Sequence, residues 1–376
     1  MKRRKFFAVA GAAVVIAGVT YYLCSDKTNF VRADCKQDPI AKFPLIDDER
    51  AILFLASLAP SGHNTQPWFI KYIEPYHWII CNDKTKWLSA VDPTQRETIL
   101  SIGAFIQNLE YAASNAGYNC QFDMMATANQ DEDIVAVKLT KSAGATAFDI
   151  ATIKSRRTVR SNYLNDVLKK EDEGFLFTEE KGFFNFIHSG SKEYQHLNEQ
   201  TVEANKIQSY RDAAENELSD WIRFSSRDAE KNMDGLTTAS MEIEGLPGFV
   251  VRNFYNKNSV MKKNFRDKNI DNVIKQVSQS AGWLLITSKD NEVATLLETG
   301  KRMQRLFLKV RNKSIAIHPM TQILEEASTK QKMNQSIGIT ENIQFILRIG
   351  YLKNYPEPVS LRRPVDWFVR SSQITV

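Results

Sequence analysis

The sequence predicts an α+β fold made of two related halves in one chain, with an apolar segment in front of them. Three observations carry this. Strand-like and helix-like runs are mixed along the chain. A pattern of residues recurs at equal offsets in two long helical stretches. The first two dozen residues pair a basic flank with a long apolar run. With 376 residues, 43% of them hydrophobic, the chain can bury one large core or two medium ones.

Lys2-Arg3-Arg4-Lys5 precedes the apolar run from Phe6 to Leu23, interrupted only by Gly11, Gly18 and Thr20. Residues 1–24 therefore read as a signal peptide or a membrane anchor. Arg3-Arg4-Lys5-Phe6-Phe7 is similar to a twin-arginine signal, with Lys2 where that signal carries Ser or Thr. A Sec-type signal anchor is the alternative. Either way, the basic flank stays inside and the rest of the chain lies outside the cytoplasmic membrane, periplasmic or anchored facing outward. Tyr21-Tyr22-Leu23-Cys24 is a poor acylation site. Residues 25–46, with Pro39 and Pro44, read as a linker or a wrapping arm.

The first half is expected over 47–150. Asp47-Asp48-Glu49 charges the start of a helix running to about Leu58. Strands follow at 68–73 and 77–82. Pro93 to Ala116 reads as a long helix, apolar at 99, 102, 106, 109, 112, 113 and 116, with Gly117 beyond its end. Two more strands are expected at 121–126 and 134–139.

The second half is expected over 151–376. Residues 192–222 read as a polar helix. Gly235, Gly245, Pro247 and Gly248 make 225–270 loop-rich, with a lid as one role. Val273–Ser280 looks helical, Trp283–Thr287 is a buried strand, Asn291–Val310 a second long helix, and Phe345–Leu352 a late strand. The halves echo each other. Trp78-Ile79-Ile80-Cys81 corresponds to Trp283-Leu284-Leu285-Ile286, and Gly103, Gln107 and Leu109 recur as Gly300, Gln304 and Leu306. Glycine inside a helix costs about 1 kcal/mol relative to alanine, so Gly103 and Gly300 point to close packing against another backbone or a ring.

Charge and cysteine exclude several classes. The basic flank carries most of the formal +5, and the remainder is nearly neutral, which argues against nucleic acid. The four cysteines and five histidines form no metal-ligand spacing.

The densest chemistry lies at Ala59-Pro-Ser-Gly-His-Asn-Thr-Gln-Pro-Trp68. Pro60 and Gly62 stop the preceding helix, and Pro67 favours extended backbone at Gln66. On local physics alone this is a helix-to-strand loop with capping residues, or a loop that holds a flat, polar-edged ligand. A second cluster is Arg156-Arg157-Thr158-Val159-Arg160. Arginine forks suit phosphate, and on a helix Arg156 and Arg160 would share a face.

Together these two stretches resemble the signatures of the nitroreductase superfamily of FMN-dependent oxidoreductases. The order is reversed from that of ordinary members, which resembles the duplicated, single-chain, Acg-like branch. The resemblance covers about residues 47–370. It implies a nitroreductase-like fold duplicated as a pseudo-dimer, so that a monomer would suffice, with the loop of one half and the arginine motif of the other completing one FMN site. It places Arg156 and Thr158 at the phosphate, Arg157 beside the ribityl chain, and Arg160 nearby in a more structural position. It places Pro60, Ser61, Gly62 and Asn64 against the flavin from the opposite half. The loop Pro319-Met320-Thr321 would offer backbone N–H groups to the ring edge, and Arg362 or Arg363 would add to the phosphate site. Gln66 and Trp68 hold loop and core, and His63 and His318 have no assigned chemistry. No protein side chain acts as catalyst. The implied activity is two-electron, ping-pong reduction of nitroaromatic or quinone-like acceptors, with NAD(P)H as candidate donor although no Rossmann motif is present. The alternative is a flavin-sequestering protein whose lid at 225–270 blocks turnover.

Overall fold

The structure is a computed structural model that describes residues 25–35, 45–142 and 148–371. The signal or anchor expected at 1–24, and much of the linker, lie outside the described residues. Among the described residues no helix is long and apolar enough to cross a membrane.

The fold is α+β. In the first half, helix α1 (Asp47–Ser57) precedes strands β1 (Trp68–Glu74) and β2 (His77–Asn82), helix α2 (Arg96–Asn115), and strands β3 (Tyr118–Met124) and β4 (Asp133–Lys141). The second half contains helix α3 (Ile150–Ser155), strand β5 (Phe184–His188), helices α4 (Lys192–Tyr210), α5 (Asp212–Trp221), α6 (Gly245–Phe254) and α7 (Lys263–Val277), strand β6 (Gly282–Ser288), helix α8 (Val293–Arg311), and strands β7 (Ile315–Pro319), β8 (Asn342–Tyr351) and β9 (Val369–Ser371).

Two sheets share one topology. The first runs β1-β2-β4-β3 and the second β5-β6-β8-β7, every neighbouring pair antiparallel. In each, the long helix connects the second strand to the third. The echoed tryptophans occupy matching places: Trp78 is the second residue of β2 and Trp283 the second of β6. The C-terminal β9 then pairs parallel with β1, so the first sheet gains a fifth strand from the far end of the chain.

The sheets sandwich α2 and α8, which cross at their glycines. A Cβ on Gly103 would lie 2.1 Å from the Leu297 carbonyl oxygen, and one on Gly300 2.0 Å from that of Leu100. The close backbone packing expected from these glycines is thus present. Around the crossing, Gln304 donates from Nε2 to Asn108 Oδ1 at 2.7 Å and Arg305 donates to Gln107 Oε1 at 2.8 Å. One apolar core runs through both halves, from Ile52, Trp68 and Phe105 to Leu284, Leu306 and Leu347. β6 is buried along its whole length. Leu284 and Ile286 face that core, while Trp283 and Leu285 join α4 and α7 through Tyr194, Leu197 and Val273.

Two expectations change. The single polar helix over 192–222 is broken at Arg211, whose backbone is extended at ψ 102°. The loop-rich 225–270 is largely helical: Ser226–Asn232, α6, Lys257–Val260 and the start of α7 fill it. Gly235 and Gly245 stand at φ 74° and 60°, a region that favours glycine, while Gly248 lies inside α6 with its Cα side packed against the Ile243 carbonyl. β5, a segment with no expectation from sequence, pairs with β6, and each of its five residues is partly buried or exposed.

Candidate functional site

α1 ends against the Pro-Ser loop, and the loop backbone is unusual. His63, Asn64 and Gln66 all have positive φ, at 46°, 55° and 55°. Extended backbone at Gln66, expected from Pro67, is therefore not what the fold adopts. Ser61 Oγ accepts from the Gln66 amide at 3.0 Å, and the Gln66 side chain is held at both ends, by Met233 O at 3.0 Å and the Arg363 amide at 3.0 Å. Each non-glycine residue in this region costs about 1–3 kcal/mol and persists where its surroundings over-determine it.

Asn64 is the hinge of this arrangement. Its Nδ2 donates to Gly235 O at 3.1 Å and Leu361 O at 3.2 Å, and its Oδ1 accepts from Arg362 Nη1 at 2.7 Å. One buried side chain so joins the loop, the 233–242 segment and the C-terminal basic pair. Pro60, Ser61 and Gly62 stay partly accessible beside it.

The arginine motif is not helical. α3 is capped by Asp149, which accepts from the Ala151 amide at 2.9 Å, and stops at Ser155, leaving Arg156 extended at ψ 133°. β-branched Thr158 and Val159 suit that extended path. Arg156 and Arg160 consequently do not share a helix face; they serve two different clusters.

The first cluster is short of negative charge. Arg156 donates to Leu58 O at 3.2 Å and lies over Phe307, its Cζ 5.2 Å from the ring centre. Arg362 donates to the carbonyls of Leu58 and Ala59 at 3.1 and 2.8 Å, and to Asn64. Nε and Nη1 of Arg156 and Nε of Arg362 are buried without a hydrogen-bond partner. Burial pushes Arg156 down to about 10, which still leaves it charged at neutral pH. Burial, with Arg156 and Arg32 close by, holds Arg362 well below the usual guanidinium range. Among the described residues no carboxylate pairs with either. Buried cations without counter-ions are costly, and their free N–H groups match an anion.

The second cluster has one carboxylate, Glu242, among its guanidiniums. Arg157 donates to Glu357 O at 2.7 Å and lies 3.6 Å from Glu242. Arg160 donates from its amide to Glu242 at 2.9 Å and from Nη1 to Ser240 O at 2.6 Å. Arg348 donates to Arg160 O at 2.5 Å. His63 and His318 both feel Arg160: burial and this cation lower His63 to about 4, and burial, Arg348 and Arg160 lower His318. Both imidazoles are neutral at physiological pH.

Arg363 serves the fold, donating to Gln66 O at 2.5 Å and Trp68 O at 2.8 Å. Thr158 is half-buried between the two clusters. Pro319 closes β7, and the Met320 amide donates to Ile346 O at 2.9 Å. That N–H is committed to the sheet, which leaves Thr321 as the candidate ring-edge donor of the pair. Thr321 Oγ1 also reaches Glu325 Oε1 at 3.1 Å. Sequence reasoning missed Glu242, Gly235 and Arg32. The first two sit in a stretch read as loop-rich, with a lid as one role, and Arg32 in a polar arm.

No protein-family model matches the chain. It is 23% identical over 323 residues to the Mycobacterium tuberculosis (strain H37Rv) protein provisionally named NAD(P)H nitroreductase Acg, covering 83% of this chain and 92% of that one. It is 20% identical over 308 residues to the Serratia protein provisionally named NAD(P)H nitroreductase PigM, covering 79% and 86%. Among solved structures, the FMN-dependent nitroreductase NfnB from Mycobacterium smegmatis, in complex with NADPH, is 15% identical with a TM-score of 0.36, over 59% of this chain and 96% of that one. These relatives carry in their names the superfamily that the two motifs resemble.

Proposed function

We propose that this chain, a relative of the nitroreductase superfamily by sequence, is an FMN-binding oxidoreductase that passes two electrons from a donor to an electron-poor organic acceptor by a ping-pong route. NAD(P)H is the donor the relatives' names suggest, and nitroaromatic or quinone-like compounds are the acceptors we propose. The observation that carries the reading is the pair of buried guanidiniums, Arg156 and Arg362, with N–H groups unpartnered and no carboxylate between them. Their donor set fits a dianionic phosphate monoester.

FMN, held there, would supply two-electron hydride chemistry between donor and acceptor. The chain's own residues bind and orient. Arg156 and Arg362 hold the phosphate, with Thr158 beside them. The strained loop Pro60–Asn64 is fixed from two sides through Asn64 and presents its accessible residues to the flavin. Thr321 offers its amide at the ring edge, and neutral His63 and His318 add no charge there. The matched topology of the two sheets supports reading residues 47–150 and 151–376 as duplicated halves, for which a monomer suffices. We further propose, from residues 1–24 alone, that the chain is exported or anchored facing outward.

A specific observation favours a second reading, flavin sequestration. The 233–242 segment lies over the site residues, tied to Asn64, Gln66 and Arg160 through Gly235, Met233 and Ser240. One experiment tests both. FMN-loaded protein, reduced with dithionite, is mixed with increasing quinone. Reoxidation that rises with quinone and saturates supports the oxidoreductase. Slow reoxidation independent of quinone supports sequestration, since opening of the cover would then limit it. Protein that takes up no FMN ends both readings.

A further inference from the structure

The N-terminal arm, residues 25–35, is docked rather than trailing. Asp26 accepts from Ser226 Oγ at 2.8 Å and donates its amide to Asn253 Oδ1 at 2.8 Å. Asn29 Oδ1 accepts from Thr238 Oγ1 at 2.7 Å and Arg252 Nη1 at 2.6 Å. The Arg32 amide donates to Val359 O at 3.2 Å, and its guanidinium donates to Lys154 O. These bonds carry the arm from the α6 region across to the arginine cluster.

The arm delivers a third cation to a place already short of anions. Burial and the Arg156 charge bring Arg32 down to about 10, and Arg32 acts on Arg362 in the same sense. Glu357 and Cys35 give only the smaller opposing effects on Arg32. Polar ties at Asp26 and Asn29 anchor the arm ahead of this position, and the Arg32 guanidinium, bonded to the carbonyl of Lys154 two residues before Arg156, is laid near two buried guanidiniums that carry unpartnered N–H groups. Like charges gathered in a low-dielectric site repel strongly unless an anion sits among them.

We propose that Arg32 is a third guanidinium of the phosphate site, supplied by the N-terminal arm, so that phosphate binding and arm docking are linked. The inference rests on the FMN reading above. Linkage is reciprocal. A docked arm tightens the hold on a phosphate-bearing flavin, and a bound phosphate holds the arm down. The arm thereby reports whether the site is loaded. Riboflavin, which lacks the phosphate, has no such effect.

The test uses the full chain, wild type and Arg32→Ala, with FMN and riboflavin titrated by flavin fluorescence and amide exchange followed over residues 25–35. Arg32→Ala is expected to weaken FMN about tenfold, the scale of one charge-assisted bond, while riboflavin changes less than about twofold. In wild type, FMN is expected to slow exchange across the arm and riboflavin to leave it unchanged. Equal losses for the two flavins, or equal protection of the arm by both, would overturn the proposal while leaving the FMN reading intact. Wild-type protein that binds neither flavin would overturn both, and is told apart because no variant enters that result.

Discussion

Gly300 stands against Gly103 at the crossing of the two central helices, where a methyl on Gly300 would come within 3.1 Å of the Gly103 Cα and 2.0 Å of Leu100 O. Each glycine meets the backbone one turn before its counterpart. Neither helix can give way without lifting off the other. Gly103→Ala and Gly300→Ala should each destabilise the protein, by about 1–3 kcal/mol or more. The double variant should lose less than the sum, because the helices separate once. Gly174, with nothing within 4 Å of an added Cβ, is the control: Gly174→Ala should be neutral or slightly stabilising. Calorimetric melting of the four variants beside the wild type checks this.

Phosphate recognition separates two flavins. Arg156→Ala and Thr158→Ala should weaken FMN by about 1.5–3 kcal/mol for the charged bond and less for the hydroxyl, with riboflavin little changed. Fluorescence titration reads both. Equal weakening of both flavins would show that the motif does not face the phosphate.

A carboxyl near the site gives a pH signature. Burial, with Glu97 behind it, pushes Glu325 up to about 8, against the hydrogen bonds from Gln208 and Thr321 and the charge of Arg96. Its folded pKa is above its unfolded one. The stability it contributes is full below about 4.5 and is lost as pH rises towards 8. Glu325→Gln should therefore match wild type at pH 4.5 and exceed it at pH 8, by roughly 1–3 kcal/mol. Urea melts across that range check it; a constant difference would place the effect in packing instead.

The cover over the loop can be loosened from below. Gln66→Ala removes the bond to Met233 O and the acceptor of the Arg363 amide. Amide exchange over 233–242 should rise, and quinone-dependent reoxidation of the reduced, FMN-loaded protein should become faster if this segment limits access. Faster exchange with unchanged reoxidation would show that the segment does not gate the site.

Export is testable apart from the flavin. Lys-Lys in place of Arg3-Arg4 should abolish export of a reporter fused after residue 30 if the twin-arginine route is used. Unchanged export would favour a Sec-type anchor.

Long, strongly periodic elements were legible in the sequence. α2, α8, β1, β2, β6 and β8 lie within a few residues of where hydrophobic pattern puts them, because each buries a continuous face. The glycine crossing was legible because glycine is expensive in a helix. What escaped were features set by distant chain. The positive φ of Gln66 is held by Met233 and Arg363, which outweigh the local effect of Pro67. The arginine motif is extended because Arg156 turns into the carbonyls below α1, which no window around residue 156 contains. Arg32 looked like one charge in a polar arm, since its neighbours lie more than a hundred residues away.

The pairing of Ile70 with Val369 has a consequence for biosynthesis. β1 is among the first segments to leave the ribosome, and its parallel neighbour is among the last. Arg50 meets Asp366 at 2.5 Å, and Arg362 closes on Leu58, Ala59 and Asn64, so the same late segment completes the first sheet, the first helix and the anion cluster. A nascent chain can collapse around α2, but it keeps an open sheet edge and half a cluster until residues 362–371 have been made. Such long-range closure is slow.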